Sequence, residues 1–132
     1  MEKTLILIKP DGVERKIIGE IISFYERKNL LIKELKLLHA TREQAENHYT
    51  EHKGRPYYEG LINFLVEGYI CALVLEGEGV IELVRKINGD KDPLKAEIGS
   101  IRGTFTCDKS RNLVHSSDSI ESANREINIW FS

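Results

Sequence analysis

The pattern of apolar and polar residues along the chain predicts four strands and five helices. Short aliphatic or β-branched runs, bounded by turn-forming residues, predict the strands. These runs cover residues 4–8, 30–38, 69–75 and 113–115. Apolar residues recurring at helical spacing predict the helices, over residues 13–28, 41–50, 57–66, 80–87 and 119–130. Thr41, with Gln44 three positions later, predicts a capping box at the start of the second helix. The run at 69–75 is almost continuously apolar, so we expect this strand to be central in its sheet.

The order of these elements predicts an α+β fold. Two strand–helix–strand halves suit a ferredoxin-like βαββαβ sandwich, in which helices cover one face of a four-stranded antiparallel sheet. Residues 89–108 have no clear periodicity and include Pro93 and three glycines, which predicts an irregular loop. A loop of this length within a compact domain is usually functional. Because the chain has 132 residues and no linker or repeat, residues 1–132 should form a single domain.

Composition excludes several classes of protein. The net charge of −2 gives no general attraction to nucleic acids or acidic membranes, so an anion site would need a local cluster of cations. Cys71 and Cys107 have no metal-binding spacing, and Cys71 lies in an apolar run, which favours a reduced thiol. The first apolar run is too short for a signal peptide or a membrane span. We therefore expect a cytoplasmic protein without a membrane partner.

His115 is the most informative candidate for chemistry. It follows a predicted strand and precedes the last predicted helix, which carries Glu126. This position suits chemistry on an anion, because helix N-termini offer free N–H groups and the positive end of a dipole. Imidazole is also a competent nucleophile near pH 7. Taken alone, however, a histidine here would more often be a hydrogen-bonded structural residue.

Other polar segments accompany His115 in a specific order. They are Ile8-Lys9-Pro10-Asp11-Gly12, His48-Tyr49 with His52, Arg55-Pro56-Tyr57-Tyr58, Glu76-Gly77, Arg85, Gly99-Ser100-Ile101-Arg102-Gly103 and His115-Ser116-Ser117-Asp118. In this order and spacing they resemble nucleoside diphosphate kinases over essentially the whole chain. The resemblance implies an enzyme that moves the terminal phosphoryl group of a nucleoside triphosphate, usually ATP, to a nucleoside diphosphate. The implied mechanism is ping-pong, through a phosphohistidine at His115.

The resemblance implies five catalytic residues. His115 would attack through Nδ1, and Glu126 would accept a hydrogen bond from the other ring nitrogen, with Ser117 as a companion hydroxyl. Tyr49 would lie near the nucleophile, and Lys9 near the ribose 3′-hydroxyl and the transferred phosphate. Without the resemblance, Glu126 would be interpreted as a solvated charge on the last helix.

The resemblance also implies the residues that bind the substrate. Arg85 and Arg102 would grip phosphate oxygens, although any single arginine is more often part of a surface ion pair. Tyr57, where the family usually has phenylalanine, would stack on the base, and such stacking tolerates any base. The full implied set is Lys9, His52, Tyr57, Leu61, Arg85, Lys91, Arg102 and Asn112.

The chain departs from the family pattern at several positions. Lys91 stands where the family usually has a threonine, so its contact with phosphate would be that of a point charge. Ser110 and Ser116 replace common glycines, Ile98 replaces a common proline, and Glu67-Gly68-Tyr69 replaces Ser-Gly-Pro. None of these changes removes an implied catalytic residue.

The resemblance further implies Mg²⁺ and an oligomer. The sequence offers no carboxylate cage and no glycine-rich phosphate loop, so Mg²⁺ would arrive on the substrate's phosphates and no protein metal ligand is predicted. Asp118 or Ser119 would cap the last helix, so Asp118 is not predicted to be a metal ligand. The implied assembly is a homo-oligomer, with a hexamer favoured over a tetramer or dimer and the loop around Pro93 at trimer contacts.

Two other classes of function remain as alternatives. The first is a binding or interaction module that keeps the fold without catalysis, but such a module has no physical reason to retain the whole catalytic set. The second is a nucleic-acid-binding protein on a ferredoxin-like sheet, which would need a basic excess and aromatic strand motifs that are not present. The sequence therefore favours the kinase, with no specific nucleic-acid partner.

Overall fold

The computed structural model describes residues 1–132, in which four strands and seven α-helices form. The strands are β1 (Glu2–Ile8), β2 (Leu31–His39), β3 (Tyr69–Gly77) and β4 (Val114–Ser116). The helices are α1 (Pro10–Glu14), α2 (Ile18–Glu26), α3 (Arg42–His48), α4 (Tyr58–Val66), α5 (Val80–Asn88), α6 (Ile101–Phe105) and α7 (Ile120–Phe131). A short 3-10 helix, Thr50–His52, follows α3. No helix is long and apolar enough to cross a membrane.

The strands form one antiparallel sheet in the order β2-β3-β1-β4. This arrangement confirms the predicted α+β class and the inner position of the strand at 69–75. In the pairing of β1 with β4, Leu7 faces His115 and Ile8 faces Val114. The C-terminal end of β1 therefore lies beside the strand that carries the candidate nucleophile.

Helices cover both faces of the sheet, so the prediction of a single covered face was incomplete. Ile6 and Ile8 point into one buried apolar cluster, which α2 and α5 complete. Leu5 and Leu7 point into a second cluster, which is completed by α3, α4 and Trp130 of α7. The physical reason is that β1 and β3 are apolar on both sides, and such strands need packing partners on each face. The βαββαβ unit supplies one layer, and the additional helices supply the other.

Local signals place most helix ends correctly. The predicted capping box is present: Thr41 Oγ1 accepts from the backbone N–H of Gln44 at 3.1 Å, and the Gln44 side chain accepts from Thr41 N–H at 3.0 Å. Of the two residues predicted to cap the last helix, Ser119 is the cap, since its Oγ accepts from the backbone N–H of Ser122 at 3.1 Å.

Two segments differ from the expected secondary structure. The region predicted as one helix over residues 13–28 is divided into α1 and α2, because Lys16 between them has a left-handed φ of 62° that a continuous helix does not permit. The predicted irregular loop contains α6, whose first residues are capped by Ser100 through a bond from the N–H of Gly103. The rest of residues 89–108 is irregular, as predicted.

Candidate active site

The ends of β1 and β4 bring together residues that are far apart in sequence. Lys9 N–H donates to the carbonyl of Leu113 at 2.8 Å, which joins the two chain segments just beyond their paired strands. The Lys9 ammonium donates to Asn112 Oδ1 at 2.9 Å. Lys9 and Asn112 are both buried. The two residues predicted to contact the ribose and the transferred phosphate are therefore direct neighbours, one strand away from His115.

His115 is held by hydrogen bonding to α7. Its Nε2 lies 3.0 Å from Glu126 Oε1, and Ser117 Oγ donates to the same oxygen at 2.7 Å. Because an ionised carboxylate only accepts, the proton of His115 sits on Nε2. Nδ1 makes no hydrogen bond within the chain, so its lone pair is free. The His115 side chain remains 23% exposed while Glu126 is almost fully buried.

Electrostatics keep His115 uncharged. Burial lowers its pKa, and the nearby cations Lys9, Lys91 and Arg102 lower it further, against a smaller opposing effect of Asp118. Burial raises the pKa of Glu126, while the Ser117 hydroxyl bond acts in the opposite direction. Near neutral pH the imidazole therefore presents an unprotonated Nδ1, which is the form required of a nucleophile.

Four cations form a connected cluster beside this imidazole. Burial lowers the pKa of Lys9 to about 7, and Arg102 and Lys91 add to the effect. Burial also lowers the pKa of Lys91, which Arg102 and Arg85 depress further. Because these side chains repel one another, the cluster has more positive charge than the nearby carboxylates neutralise. Such a cluster suits the binding of a polyanion such as a nucleotide phosphate chain.

Arg102 also braces the site, a role that the sequence analysis missed. Its guanidinium donates to the backbone carbonyls of Asn112 at 3.1 Å, of Gly89 at 2.6 Å and of Val114 at short range. These bonds tie the loop after α5 to the start of β4. The signal was not visible in the sequence because all three acceptors are backbone atoms.

A second stabilising contact that the sequence did not predict lies at the start of β4. Leu113 has a left-handed φ of 73°, which costs a non-glycine residue on the order of 1 kcal/mol or more. The buried carboxylate of Asp11 holds it by accepting from the Leu113 N–H at 3.1 Å. Asp11 therefore does more than end the first strand, and the strained turn directs the chain from Asn112 into β4.

A row of aromatic rings runs outward from His115. Successive ring centroids are separated by 4.4 Å from His115 to His48, 4.8 Å to Tyr49, 6.0 Å to His52 and 5.5 Å to Tyr57. His52 Nδ1 also lies 3.0 Å from the Tyr57 hydroxyl. Tyr57 is half exposed at the outer end, one turn before the partly buried Leu61 of α4. The row connects His115 to Tyr57, the residue predicted to stack on the base.

His48 belongs to this row but received no role in the sequence analysis. It is 3% exposed, at the C-terminal end of α3, and its Nδ1 accepts a hydrogen bond from Trp130 Nε1 at 3.1 Å. The available signal was its place directly before Tyr49 in the order of polar segments that resembles the family. Its partner on the last helix could not be read from that signal.

His48, His115 and Glu126 have potential metal-ligating atoms within 4.8 Å of one another, but their hydrogen bonds do not suit a metal. Glu126 Oε1 already accepts two bonds, and the bond from Trp130 requires His48 to keep its proton on Nε2. Mg²⁺ moreover prefers oxygen ligands. These residues are therefore better suited to orienting a nucleophile than to holding an ion.

Three residues that differ from the family pattern can be located in the structure. Ser110 N–H and Oγ both donate to Asp108 Oδ1 at 2.8 Å, forming a turn that leads to Asn112. Ser116 lies in β4 opposite Ile6 and is partly buried. Ile98 is exposed in the loop. None of these side chains displaces Glu126 or Lys9 from the nucleophile.

A neutral imidazole with a free nitrogen, oriented by a carboxylate and faced by cations, suits a phosphotransferase that uses histidine. The family model for nucleoside diphosphate kinase matches residues 2–132. The chain therefore belongs to the nucleoside diphosphate kinase family. It is a transferase that moves phosphoryl groups between nucleoside triphosphates and nucleoside diphosphates.

Individual relatives and solved structures agree with this assignment. The chain is 51% identical to the nucleoside diphosphate kinase of Carboxydothermus hydrogenoformans, over 99% of this chain and 88% of that protein. It is 53% identical to that of Staphylothermus marinus, over 98% of this chain and 92% of that protein. Among solved structures, the enzyme of Encephalitozoon cuniculi matches with a TM-score of 0.96 and 34% identity, over 99% and 89% of the two chains. The Aquifex aeolicus enzyme matches with a TM-score of 0.95 and 41% identity, over 99% and 95%.

Proposed function

We propose that the phosphoryl group is carried between the two nucleotides by His115 Nδ1. The nitrogen lone pair forms a bond to the γ-phosphorus, the bond to the β–γ bridging oxygen breaks, and the nucleoside diphosphate leaves with that oxygen. An oxygen of the terminal phosphate of the second diphosphate then attacks the phosphohistidine and regenerates the neutral ring. The observation that carries this proposal is the His115 Nε2 bond to Glu126, which leaves Nδ1 free.

The carboxylate would act by holding the ring. Glu126 keeps the proton of His115 on Nε2 and stabilises the positive charge that the ring gains on phosphorylation. Ser117 holds Glu126 in turn, and its own oxygen accepts from the Leu5 N–H at 3.2 Å, so the carboxylate is fixed to β1. Tyr49, a buried member of the row of rings, would place its hydroxyl near the transferred group.

The cation cluster would bind the phosphates. The Arg85 and Lys91 side chains make no hydrogen bond within the chain and are free to meet phosphate oxygens. Lys9 and Arg102 retain N–H groups beyond those that donate to Asn112 Oδ1 and to backbone carbonyls. Their repulsion in the free protein is relieved when the polyanion binds. The cations should therefore stabilise the transition state most strongly, because negative charge spreads over the transferred phosphoryl group there.

The outer part of the site would recognise the nucleoside. The exposed ring of Tyr57 offers a stacking face to the base, and Leu61 offers an apolar wall beside it. His52, linked to the Tyr57 hydroxyl, faces the outer phosphates. Asn112, fixed by its bond from Lys9, is available to the ribose hydroxyls. Stacking supplies most of this recognition and accounts for acceptance of different bases.

Mg²⁺ would enter as part of the nucleotide substrate. Glu126 is committed to His115 and Ser117, and Asp118 is a lone exposed carboxylate near the cations of the cluster. The ion is therefore held by phosphates and water, and it neutralises charge on the phosphate chain. We assign it no side-chain ligand.

We also propose a single-domain subunit of a cytoplasmic homo-oligomer, with a hexamer favoured and a tetramer possible. One sheet connects both apolar clusters across residues 1–132, which supports one domain. A relative in Dictyostelium discoideum is named as cytosolic, which supports the location. The edge strand β2 exposes Leu35 and Leu37, and the loop around Pro93 exposes Leu94 and Ile98, which supports subunit contacts. Light scattering on the purified protein tests the assembly.

Steady-state kinetics test the catalytic proposal. With ATP as donor and GDP as acceptor, double-reciprocal plots should be parallel, and His115→Asn should lower kcat by at least about 10⁴-fold. The matched control is His39→Asn, the same change at an exposed histidine on β2. Intersecting lines, or turnover that survives in His115→Asn, would show that no phosphohistidine carries the reaction.

A further inference from the structure

His48 is a buried imidazole with one nitrogen that has no partner. Nδ1 accepts from Trp130, whereas Nε2 makes no hydrogen bond although it is completely enclosed. A buried polar atom without a partner is rare and costly in a folded protein. Because Trp130 can only donate, the His48 proton must lie on Nε2. The ring is thus fixed in one neutral tautomer.

The same ring is packed against the nucleophile. The His48 and His115 centroids are 4.4 Å apart and their planes are 77° from parallel, so one ring meets the other edge to face. The C-terminal carbonyls of α3 are held as well, since Arg125 donates to Asn47 O at 2.8 Å and to His48 O at 3.4 Å. Helix α7 therefore fixes both the backbone and the ring of His48.

We infer that His48 is a positioning residue for His115, and that Trp130 keeps it uncharged so that Glu126 serves His115 alone. The inference rests on His115 being the nucleophile, as proposed above. If His48 gained a proton on Nδ1, that N–H would point at the N–H of Trp130. Such a cation would also attract the Glu126 carboxylate and place positive charge against the attacking ring.

The titratable and charged groups that face His48 come from three neighbouring elements. They are His115 of β4, Glu126 and Arg125 of α7, and Lys9 at the end of β1. Burial lowers the pKa of His48 well below its usual value, and His115 lowers it further. Of these neighbours, Glu126 is the one that raises the pKa. Removing the Trp130 N–H therefore removes one of the constraints against protonation and leaves the attraction of Glu126 in place.

Trp130→Phe, which keeps an aromatic ring but has no N–H, tests the inference. The rate of His115 phosphorylation by saturating MgATP is measured in single turnovers from pH 5.5 to 8.5, for the wild type, Trp130→Phe and the double variant His48→Phe/Trp130→Phe. Loss of the Trp130 N–H removes a constraint against a proton on His48 Nδ1, so His48 should become charged on acidification in Trp130→Phe but not in the wild type. The Trp130→Phe rate should therefore fall by a larger factor than the wild-type rate between pH 8.5 and pH 5.5.

The double variant is the matched control, because phenylalanine at position 48 cannot titrate. Its pH profile should run parallel to that of the wild type. A Trp130→Phe profile parallel to the wild type, or an acid step that persists in the double variant, would overturn the inference. If the wild type itself forms no phosphoprotein, the proposed function fails instead, so the two failures are distinguishable.

A spectroscopic measurement on the wild type covers the possibility that Trp130→Phe does not fold. Nitrogen-15 NMR of labelled histidine should show His48 as a neutral ring protonated on Nε2, unchanged down to pH 5.5. A charged ring at that pH, or protonation on Nδ1, would overturn the inference independently of any variant.

Discussion

Replacing Lys9 with methionine should stabilise the protein while impairing phosphoryl transfer. The Lys9 ammonium is buried, its one hydrogen-bond partner is Asn112 Oδ1 at 2.9 Å, and it forms no salt bridge. Its pKa falls from 10.5 to about 7, chiefly through burial and then through Arg102 and Lys91. That difference corresponds to about 4–5 kcal/mol of destabilisation carried by the charged form. Methionine has a similar length and no charge.

The net gain should be smaller than this figure. Methionine leaves Asn112 Oδ1 without its donor, which costs about 1–3 kcal/mol. We therefore expect Lys9→Met to be about 2–3 kcal/mol more stable than the wild type at pH 6. Its kcat/KM should fall by at least about 100-fold, the usual loss for a donor that stabilises developing charge.

The pH dependence supplies a sharper signature. Because the folded pKa of Lys9 lies below its unfolded value, the native state binds fewer protons than the unfolded chain between about pH 7 and 10.5. The penalty is fully present below pH 7, and stability should recover as the pH rises, by at most about 1.4 kcal/mol per pH unit. Lys9→Met should lack this rise.

Urea unfolding from pH 6 to 9.5 at one protein concentration measures both effects, because assembly makes apparent stability depend on concentration. Lys3→Met, at an exposed lysine on β1, is the matched control and should change neither stability nor its pH slope. If Lys9→Met were no more stable than the wild type at pH 6, or kept the wild-type slope, the buried-cation reasoning would be refuted.

Variants at three further sites, two of them with a matched control, test other parts of the structure. Ser117→Ala should lose about 1–3 kcal/mol in urea unfolding, because it removes a fully buried donor to Glu126; an unchanged midpoint would count against this network. Gly103→Ala should destabilise by about 2 kcal/mol or more, since an added Cβ would clash with the backbone carbonyl of Glu97. Gly19→Ala meets nothing within 4 Å and should be slightly stabilising, so equal effects of the two changes would contradict the packing. Tyr57→Ala should raise the nucleotide KM about 5- to 100-fold, and Tyr57→Phe should not; similar KM values for all three proteins would exclude stacking.

The strands and most helices could be predicted because their signals are local. The continuous apolar run of β3 indicated a strand buried on both sides, and the Thr41–Gln44 pair indicated where α3 begins. The same run also implied packing on both faces, a consequence that the predicted single helix layer overlooked. The division between α1 and α2 could not be predicted, because it depends on a left-handed φ at Lys16, a residue with no preference for that conformation.

The residues of the candidate site could be predicted from the sequence, but the contacts that connect them could not. The order of polar segments around His115 pointed to the family, and through it to Glu126, Lys9 and Asn112. Long-range contacts had no sequence signal: the bonds from Arg102 to three carbonyls, and the bond from Trp130 that fixes His48. Such contacts depend on which distant atoms the fold brings together, and the periodicity of apolar residues carries no information about that.

The most direct test of phosphoryl transfer through His115 is the intact mass of the protein after brief exposure to MgATP, measured beside His115→Asn. The expected result is the gain of one phosphoryl group that is acid-labile, is discharged by a nucleoside diphosphate and is absent from the variant. An unchanged mass while ATP demonstrably binds, or an equal gain in His115→Asn, would contradict the account.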